Sequence, residues 1–353
     1  MKSIYMCPQW NDDISSVLHV VPELDSMAGR TILVTGATGL ICSAVMDVLI
    51  GYNESHPEPI RLIAAGRNGQ KIRDRFAQYS QRPYFSTARY DATSVSPDFG
   101  FRADYIIHGA GNATPGMIVK EPVETMTANF WGLKNLLDHA VRNGTRRVLY
   151  ISSSEVYGKK DNAGPFSEGE YGYIDLLSPR NSYSVAKRAA ETLCASYAEE
   201  YGVDAVIIRP GHIYGPTATE ADNRVSSAWA YAAARGEDIV MKSTGSQIRS
   251  YCHCLDSATA ILKALLCGES GHAYNISNPE SVISIREMAG LLAKAGNVAL
   301  RQENPTDEEK KGFNPMDNSS LDASELLALG WEGCFDAGTG FDHTVRIIKE
   351  RLG

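Results

Sequence analysis

Tyr183 and Lys187 stand four residues apart in Asn181-Ser-Tyr-Ser-Val-Ala-Lys187. On a helix that spacing puts a phenol and an ammonium on one face, about one turn apart. A phenol with its ordinary pKa of about 10 is a poor base near neutral pH. A fixed positive charge beside it favours the phenolate and brings it toward working range. The same spacing also describes a half-buried tyrosine beside a solvated lysine, so its meaning depends on its surroundings. About 30 residues earlier, Ser153 lies in Ser152-Ser-Ser-Glu-Val-Tyr-Gly158, directly after the apolar run Arg147–Ile151. The carboxyl end of a strand in a parallel sheet is where ligands bind, so Ser153 is placed to hydrogen-bond a substrate oxygen.

The elements that must hold these groups alternate regularly. Thr31–Thr35, Ile60–Ala65, Tyr105–His108, Arg147–Ile151 and Ala205–Arg209 read as buried strands. Ser43–Ile50, Met126–Arg142 and Ser182–Tyr201 read as the helices between them. That alternation predicts an α/β fold, a doubly wound parallel sheet with helices on both faces and a smaller mixed C-terminal lobe. Residues 1–29 form an extension in which Ile14–Leu24 is a weakly amphipathic helix packed on the main body. The cofactor domain spans 30–209, with 250–268 returning to it, and 210–249 with 269–353 make the substrate lobe. Helices are expected there at Val225–Arg235, Ser257–Leu266 and Ile285–Ala295.

The first strand enters Thr35-Gly-Ala-Thr-Gly-Leu-Ile-Cys42, followed by a helix. Glycines allow a tight turn and close approach of backbone N–H groups to a pyrophosphate at the helix N-terminus. Gly36, Thr38, Gly39, Leu40 and Ile41 are the expected contacts, and Cys42 replaces a third glycine with another small residue. After the second strand, Ala64-Ala-Gly-Arg-Asn68 has no carboxylate for the ribose hydroxyls of NAD. Arg67 there suits the 2′-phosphate of NADP, or stacks over adenine. Asp91 and Ala92 have the position of a segment that meets the adenine amine, and Gly109 and Ala110 would line the cofactor with small groups.

Taken together, the glycine turn, Ser153 and Tyr183/Lys187 resemble the extended short-chain dehydrogenase/reductase family, the nucleotide-sugar epimerases, dehydratases and decarboxylases. Pro179-Arg-Asn-Ser-Tyr183, Arg209-Pro-Gly-His-Ile-Tyr-Gly-Pro216, Gly245-Ser-Gln-Ile-Arg249 and Leu329-Gly-Trp331 extend the resemblance from Thr31 to about Ile347. It implies that Tyr183, helped by Ser153, takes the proton of a sugar 4-hydroxyl while hydride passes from C4 to a nicotinamide. Lys187 would hold the nicotinamide ribose and depress the Tyr183 pKa, and Pro210 and His212 would also meet the cofactor. The family habit favours NAD, whereas Arg67 favours NADP, so the cofactor is written NAD(P). Hydride then returns to the sugar, so the cofactor stays bound.

Ser154-Glu155 after Ser153 is most similar to the UDP-glucuronate decarboxylases (UDP-xylose synthases), which keep the Glu and lack the dehydratases' neighbouring Asp. Glu155 would be a polar partner or proton relay at C5, or else a structural carboxylate. The 4-epimerases and 4,6-dehydratases share the first step and remain the alternative, and a cofactor-bound regulator without turnover is a third. By the same resemblance Asn112, Ser154, His212, Arg224 and Arg249 meet the substrate, the two arginines clamping its diphosphate. Either arginine could instead be merely exposed. His212 departs from the family's asparagine. Lys159–Tyr173 forms a loop over the site or a solvated surface loop, and Asp256 is expected to cap the helix that follows it.

Composition removes several other classes. The 353 residues carry a formal net charge of −8 with no basic block, which disfavours a nucleic-acid partner. No apolar run approaches the roughly 20 residues that span a bilayer, and the N-terminus has no secretory pattern. Seven cysteines without paired spacing indicate a reduced, cytoplasmic setting. Cys252-His-Cys254 cannot supply a closed ligand set, so no metal is expected. The partner is a nucleotide-sugar substrate, and the resemblance implies a homodimer through the two helices Met126–Arg142 and Ser182–Tyr201.

Overall fold

The computed structural model describes residues 1–94, 100–160, 164–305 and 316–353. Residues 161–163 of the loop expected over the site lie outside the described residues. Among those described, seven strands form one parallel sheet in the order β10-β6-β5-β4-β1-β2-β3. They are β1 (Thr31–Thr35), β2 (Arg61–Gly66), β3 (Phe85–Arg89), β4 (Tyr105–His108), β5 (Arg147–Ile151), β6 (Ala205–Pro210) and β10 (Ala273–Ile276). Val, Ile, Leu and Ala fill both faces, as a sheet covered on both sides requires. The order reverses between β1 and β4, and a crevice outside the strand ends opens there.

On one face pack α2 (Leu40–Ser55) and α8 (Cys254–Cys267); on the other α5 (Pro122–Asn143) and α6 (Ser182–Tyr201) lie against each other. Two short helices, α3 (Gly69–Arg75) and α4 (Pro115–Lys120), lead into β3 and α5. Gly144 and Gly202 end α5 and α6 in the left-handed conformation, at φ of 66° in both. Three strands, β7 (His212–Tyr214), β9 (Ile248–His253) and β11 (Val282–Ser284), make a small sheet of mixed direction beside the crevice. Further out, β8 (Ile239–Met241) pairs with β12 (Leu300–Gln302). Around them pack α7 (Val225–Arg235), α9 (Ile285–Gly296), the short α10 (Ser324–Ala328) and α11 (Ala337–Leu352).

The structure differs from the sequence reading in three places. The N-terminal helix is α1 (Pro8–Val17), and the chain then continues through 3-10 turns to Met27. Pro8 suits a helix start, and Trp10 and Val17 are fully buried, so packing rather than the Ile14–Leu24 periodicity sets the boundaries. Burying side chains of that size is worth about 1.5–3 kcal/mol each, so this extension belongs to the core. The return to the main sheet continues past 250–268: β9 joins the small sheet, while β10 completes the large one. Asp256 is not a cap. His253 accepts the N–H of Leu255 at the head of α8, whereas Asp256 accepts the N–H groups of Cys334 and Phe335 at 2.8 and 3.2 Å. Burial pushes that carboxyl up to about 7 while these N–H groups and Asn278 pull it back.

Candidate functional site

At the crevice, Gly36 takes φ of 71°, and a Cβ there would lie 2.9 Å from the Gly109 carbonyl carbon. Only glycine fits that crossing of β1 and β4. Gly39 heads α2 with no side chain capping the helix, so the first-turn N–H groups, those of Leu40 and Ile41, are presented outward. Cys42, in place of a third glycine, is accommodated by Gly109: a Cβ at 109 would meet the Cys42 sulfur at 2.3 Å. Burial pushes this thiol up to about 12, which leaves it a small packing residue. Thr38 and Ile41 are half-buried along the turn. The residues present could therefore hold a dinucleotide pyrophosphate.

Arg67 is exposed just beyond β2, and Asp91 follows β3. The N–H and hydroxyl of Thr93 bond Asp91 at 3.0 and 2.8 Å and hold its carboxyl below the usual range, with Arg67 and Arg89 adding to the effect. Ala92 is buried against Gly132. The N–H groups of Gly109 and Ala110 point to Thr35, at 3.3 Å to its carbonyl and 3.4 Å to its hydroxyl. Asn112 is half-buried in the following turn, and Pro210 ends β6 fully covered.

β5 delivers the serines. Ser153 Oγ accepts the Glu155 N–H at 3.2 Å, which leaves its own hydrogen free to donate. Across the crevice α6 presents Tyr183, whose phenol is pushed up to about 12 by burial. Contact with the Ser153 hydroxyl and the charge of Arg224 pull it back, and Glu155 opposes them. Lys187 is 6% exposed and donates to the Ile151 carbonyl at 2.7 Å. Its Nζ lies 4.5 Å from the centre of the Tyr150 ring and 5.6 Å from that of Tyr183. Burial lowers its ammonium to about 7, partly countered by Glu191. Lys187 thus stands beside the Tyr183 ring with its ammonium bonded to the Ile151 carbonyl, and Arg224 adds a second cation that favours the phenolate.

Glu155 is exposed to the crevice, although protein closes round its carboxyl. Its carboxyl is pushed up by burial and drawn down by Ser184, whose hydroxyl stands 3.4 Å away, and by Arg180 and Arg249. Ser154 is half-buried beside it. Arg249, on β9, is 3% exposed, and its Nη1 donates to the carbonyls of Ile248 and Met316. Arg224 heads α7 and is gripped by Asp222 through Nε at 2.9 and 3.0 Å and through Nη2. His212, on β7, has an Nδ1 without a partner among the described residues. Burial, with Arg249 and Arg224, lowers it to about 4, so it is a neutral imidazole near pH 7.

Tyr183, Ser153, Glu155, Arg224, Arg249 and His212 therefore act on one another within one constellation, with Lys187 behind it. Arg67 and Asp91 form a separate group at the far end of the crevice. The sequence reading passed over the scaffold beneath. Arg209 donates to both oxygens of Glu191 at 3.0 and 2.7 Å, to the hydroxyls of Tyr157 and Tyr171, and to the Glu168 carbonyl. Ser152 donates to Glu191 at 2.5 Å. Arg188 bonds the carbonyls of Val156, Tyr157 and Gly172. The described part of the loop between Lys159 and Tyr173 is thereby pinned to this scaffold and to Asn275 of β10, with Phe166 and Glu168 buried. One signal was available: Glu191 lies one helical turn after Lys187.

The sequence profile of the NAD dependent epimerase/dehydratase family matches residues 32–277. The chain is 31% identical over 324 residues to UDP-glucuronic acid decarboxylase 6 of Arabidopsis thaliana, covering 91% of this chain and 90% of that relative. It is 28% identical over 320 residues to dTDP-glucose 4,6-dehydratase of an Actinoplanes species, covering 89% and 96% respectively. Among solved structures, an epimerase of Methanothermobacter thermautotrophicus superimposes with a TM-score of 0.80 at 19% identity, over 95% of this chain and 97% of that one. This last likeness bears on the fold.

Proposed function

The chain belongs to the NAD dependent epimerase/dehydratase family, and from that premise we propose that it decarboxylates a UDP-glucuronate-like sugar nucleotide through a 4-keto intermediate. The observation that carries the reading is the carboxyl of Glu155, set without a neighbouring Asp between the Tyr183 phenol and the cations Arg180 and Arg249. A relative whose name is UDP-glucuronic acid decarboxylase supports the same choice. An NAD(P) bound at Gly36–Ile41 would supply the hydride acceptor for C4 of the sugar and the donor that restores it.

The chain's own residues do the rest. Tyr183 takes the 4-hydroxyl proton, and Ser153 donates to the oxygen as it becomes a carbonyl. Oxidation at C4 makes the C6 carboxylate that of a β-keto acid. The C5–C6 bond breaks, carbon dioxide leaves, and the electron pair flows into the 4-keto oxygen as an enolate. A proton then returns to C5, for which Glu155 is the group in place, its raised pKa favouring the protonated form that can give the proton up. Arg249 and Arg224 face the diphosphate, and neutral His212 offers it a hydrogen bond. Ser154 and Asn112 complete the sugar pocket. Lys187 orients the nicotinamide ribose. Arg67 favours NADP over NAD, the exposed Val123 and Trp131 of α5, with Tyr201 of α6, suit a homodimer, and the seven cysteines without paired spacing suit a cytoplasmic setting.

The test is to incubate the protein with UDP-glucuronate, UDP-glucose and dTDP-glucose separately and to weigh the products. Carbon dioxide loss from UDP-glucuronate alone is expected. Water loss from a glucose nucleotide, or a 4-epimer of unchanged mass, would instead assign one of the sister reactions.

A further inference from the structure

A second cavity lies outside the catalytic constellation, between the N-terminal segment, α3, the loop after β7 and the last turn of α11. Lys71, Arg75 and Arg351 line it together with the hydroxyl-bearing Thr38, Thr217 and Thr219. Its volume is about 80 Å³, several times the roughly 10–15 Å³ a single water needs, so a tetrahedral oxyanion fits. Met1 and Ile4 close one side.

The charges around it do not balance internally. Asp47, fully buried in α2, is the one carboxylate bonded to these cations among the described residues; it takes Nη2 of Arg75 and the Tyr5 hydroxyl. Nη1 of Arg75 is buried and has no partner among the described residues. Among the described residues Arg351 donates to carbonyls alone, Pro216 at 2.8 Å and Lys2 at 3.4 Å. Burial lowers its pKa, and the like charge of Arg75 adds to that. Lys71 lies one turn before Arg75, on the same face of α3. Three cations held around an open volume against one buried acid repel one another unless an anion joins them.

We propose that this cavity is a binding site for a phosphate-type anion, in which Lys71, Arg75 and Arg351 supply the charge and Thr38 and Thr219 supply hydrogen bonds, the Thr217 hydroxyl being engaged by the Leu40 carbonyl. Thr38 belongs to the glycine turn, so one source of the phosphate is the 2′-phosphate of a bound NADP. The other is a free phosphate that binds beside the cofactor. The first source rests on the cofactor reading above; the second stands without it.

The experiment is calorimetric titration of the full chain with NADPH, NADH and inorganic phosphate, for wild type and for the double variant Lys71→Gln/Arg351→Gln. Losing two charge-assisted contacts should weaken the phosphate-bearing ligand by about ten- to a hundredfold and leave NADH unchanged. Weakening of NADPH, with inorganic phosphate competing against it, assigns the site to the cofactor's phosphate. Saturable binding of inorganic phosphate that the variant loses, with both dinucleotides unaffected, assigns it to a free anion. An unchanged NADPH-to-NADH ratio with no saturable phosphate binding overturns the proposal. Failure of both dinucleotides to bind wild type would count against the cofactor reading, while the inorganic phosphate titration still decides the site. Lys71→Gln alone, on an exposed helix face, repeats the test with a smaller expected loss should the double variant melt early.

Discussion

Two buried arginines, Arg209 and Arg249, are 2% and 3% exposed and yet are treated in opposite ways. Arg209 is closed on all sides by Glu191, two tyrosine hydroxyls and a carbonyl, and its charged form is strengthened. Arg249 bonds carbonyls only, faces Glu155 and Asp317 without gripping either, and has its charged form weakened by burial. A guanidinium already satisfied by the protein holds the architecture. One kept short of an anion is, on the function proposed above, the group that meets the diphosphate, since desolvation has been incurred without a compensating charge. The same division separates the scaffold under β5 and β6 from the crevice above it.

The largest expected effect lies at the phenol that this scaffold positions. Tyr183→Phe should lower kcat by about 10²–10⁴-fold without moving the melting temperature, as steady-state kinetics and a thermal melt would record. Arg209→Met leaves Glu191 buried and unpaired, and should cost about 3–5 kcal/mol in chemical denaturation. Arg249→Met should do the reverse: stability within about 1 kcal/mol of wild type or higher, with kcat/KM lowered by about 2–5 kcal/mol of lost charge pairing. If both substitutions destabilised equally, the division between satisfied and waiting charge would not stand.

A smaller effect distinguishes Lys187. Its ammonium is lowered in the folded chain from 10.5 to about 7, so between those values the unfolded chain holds a proton that the folded chain lacks. Stability from this group therefore rises with pH across that window and is lost as pH falls through about 7. Denaturation at pH 7 and pH 8 should show an increment of about 1 kcal/mol in wild type that Lys187→Met lacks.

Much of the crevice was legible in the residues. Gly36 and Gly39 mark the turn, at whose crossing point no side chain fits on Gly36, and Tyr183 with Lys187 lies on a helix whose limits match the structure at both ends. Periodicity served these strands and helices because their burial follows from local alternation. It failed for α1, whose start is set by Trp10 packing onto α2, a partner distant in sequence. Long-range pairing also hid the bridge from Arg209 to Glu191 and the loop, and the role of Asp256 in tying residues 334–335 to α8. Nor did spacing reveal that Lys187 bonds the Ile151 carbonyl, or that Arg224 adds a second cation acting on Tyr183.

The most direct measurement is made with UDP-glucuronate labelled at C6. The predicted result is labelled carbon dioxide released in equal amount to a UDP-pentose, with no net reduction of the bound cofactor and no release from Tyr183→Phe. Retention of the label in a product of altered structure would contradict a decarboxylase built on Ser153, Glu155 and Tyr183.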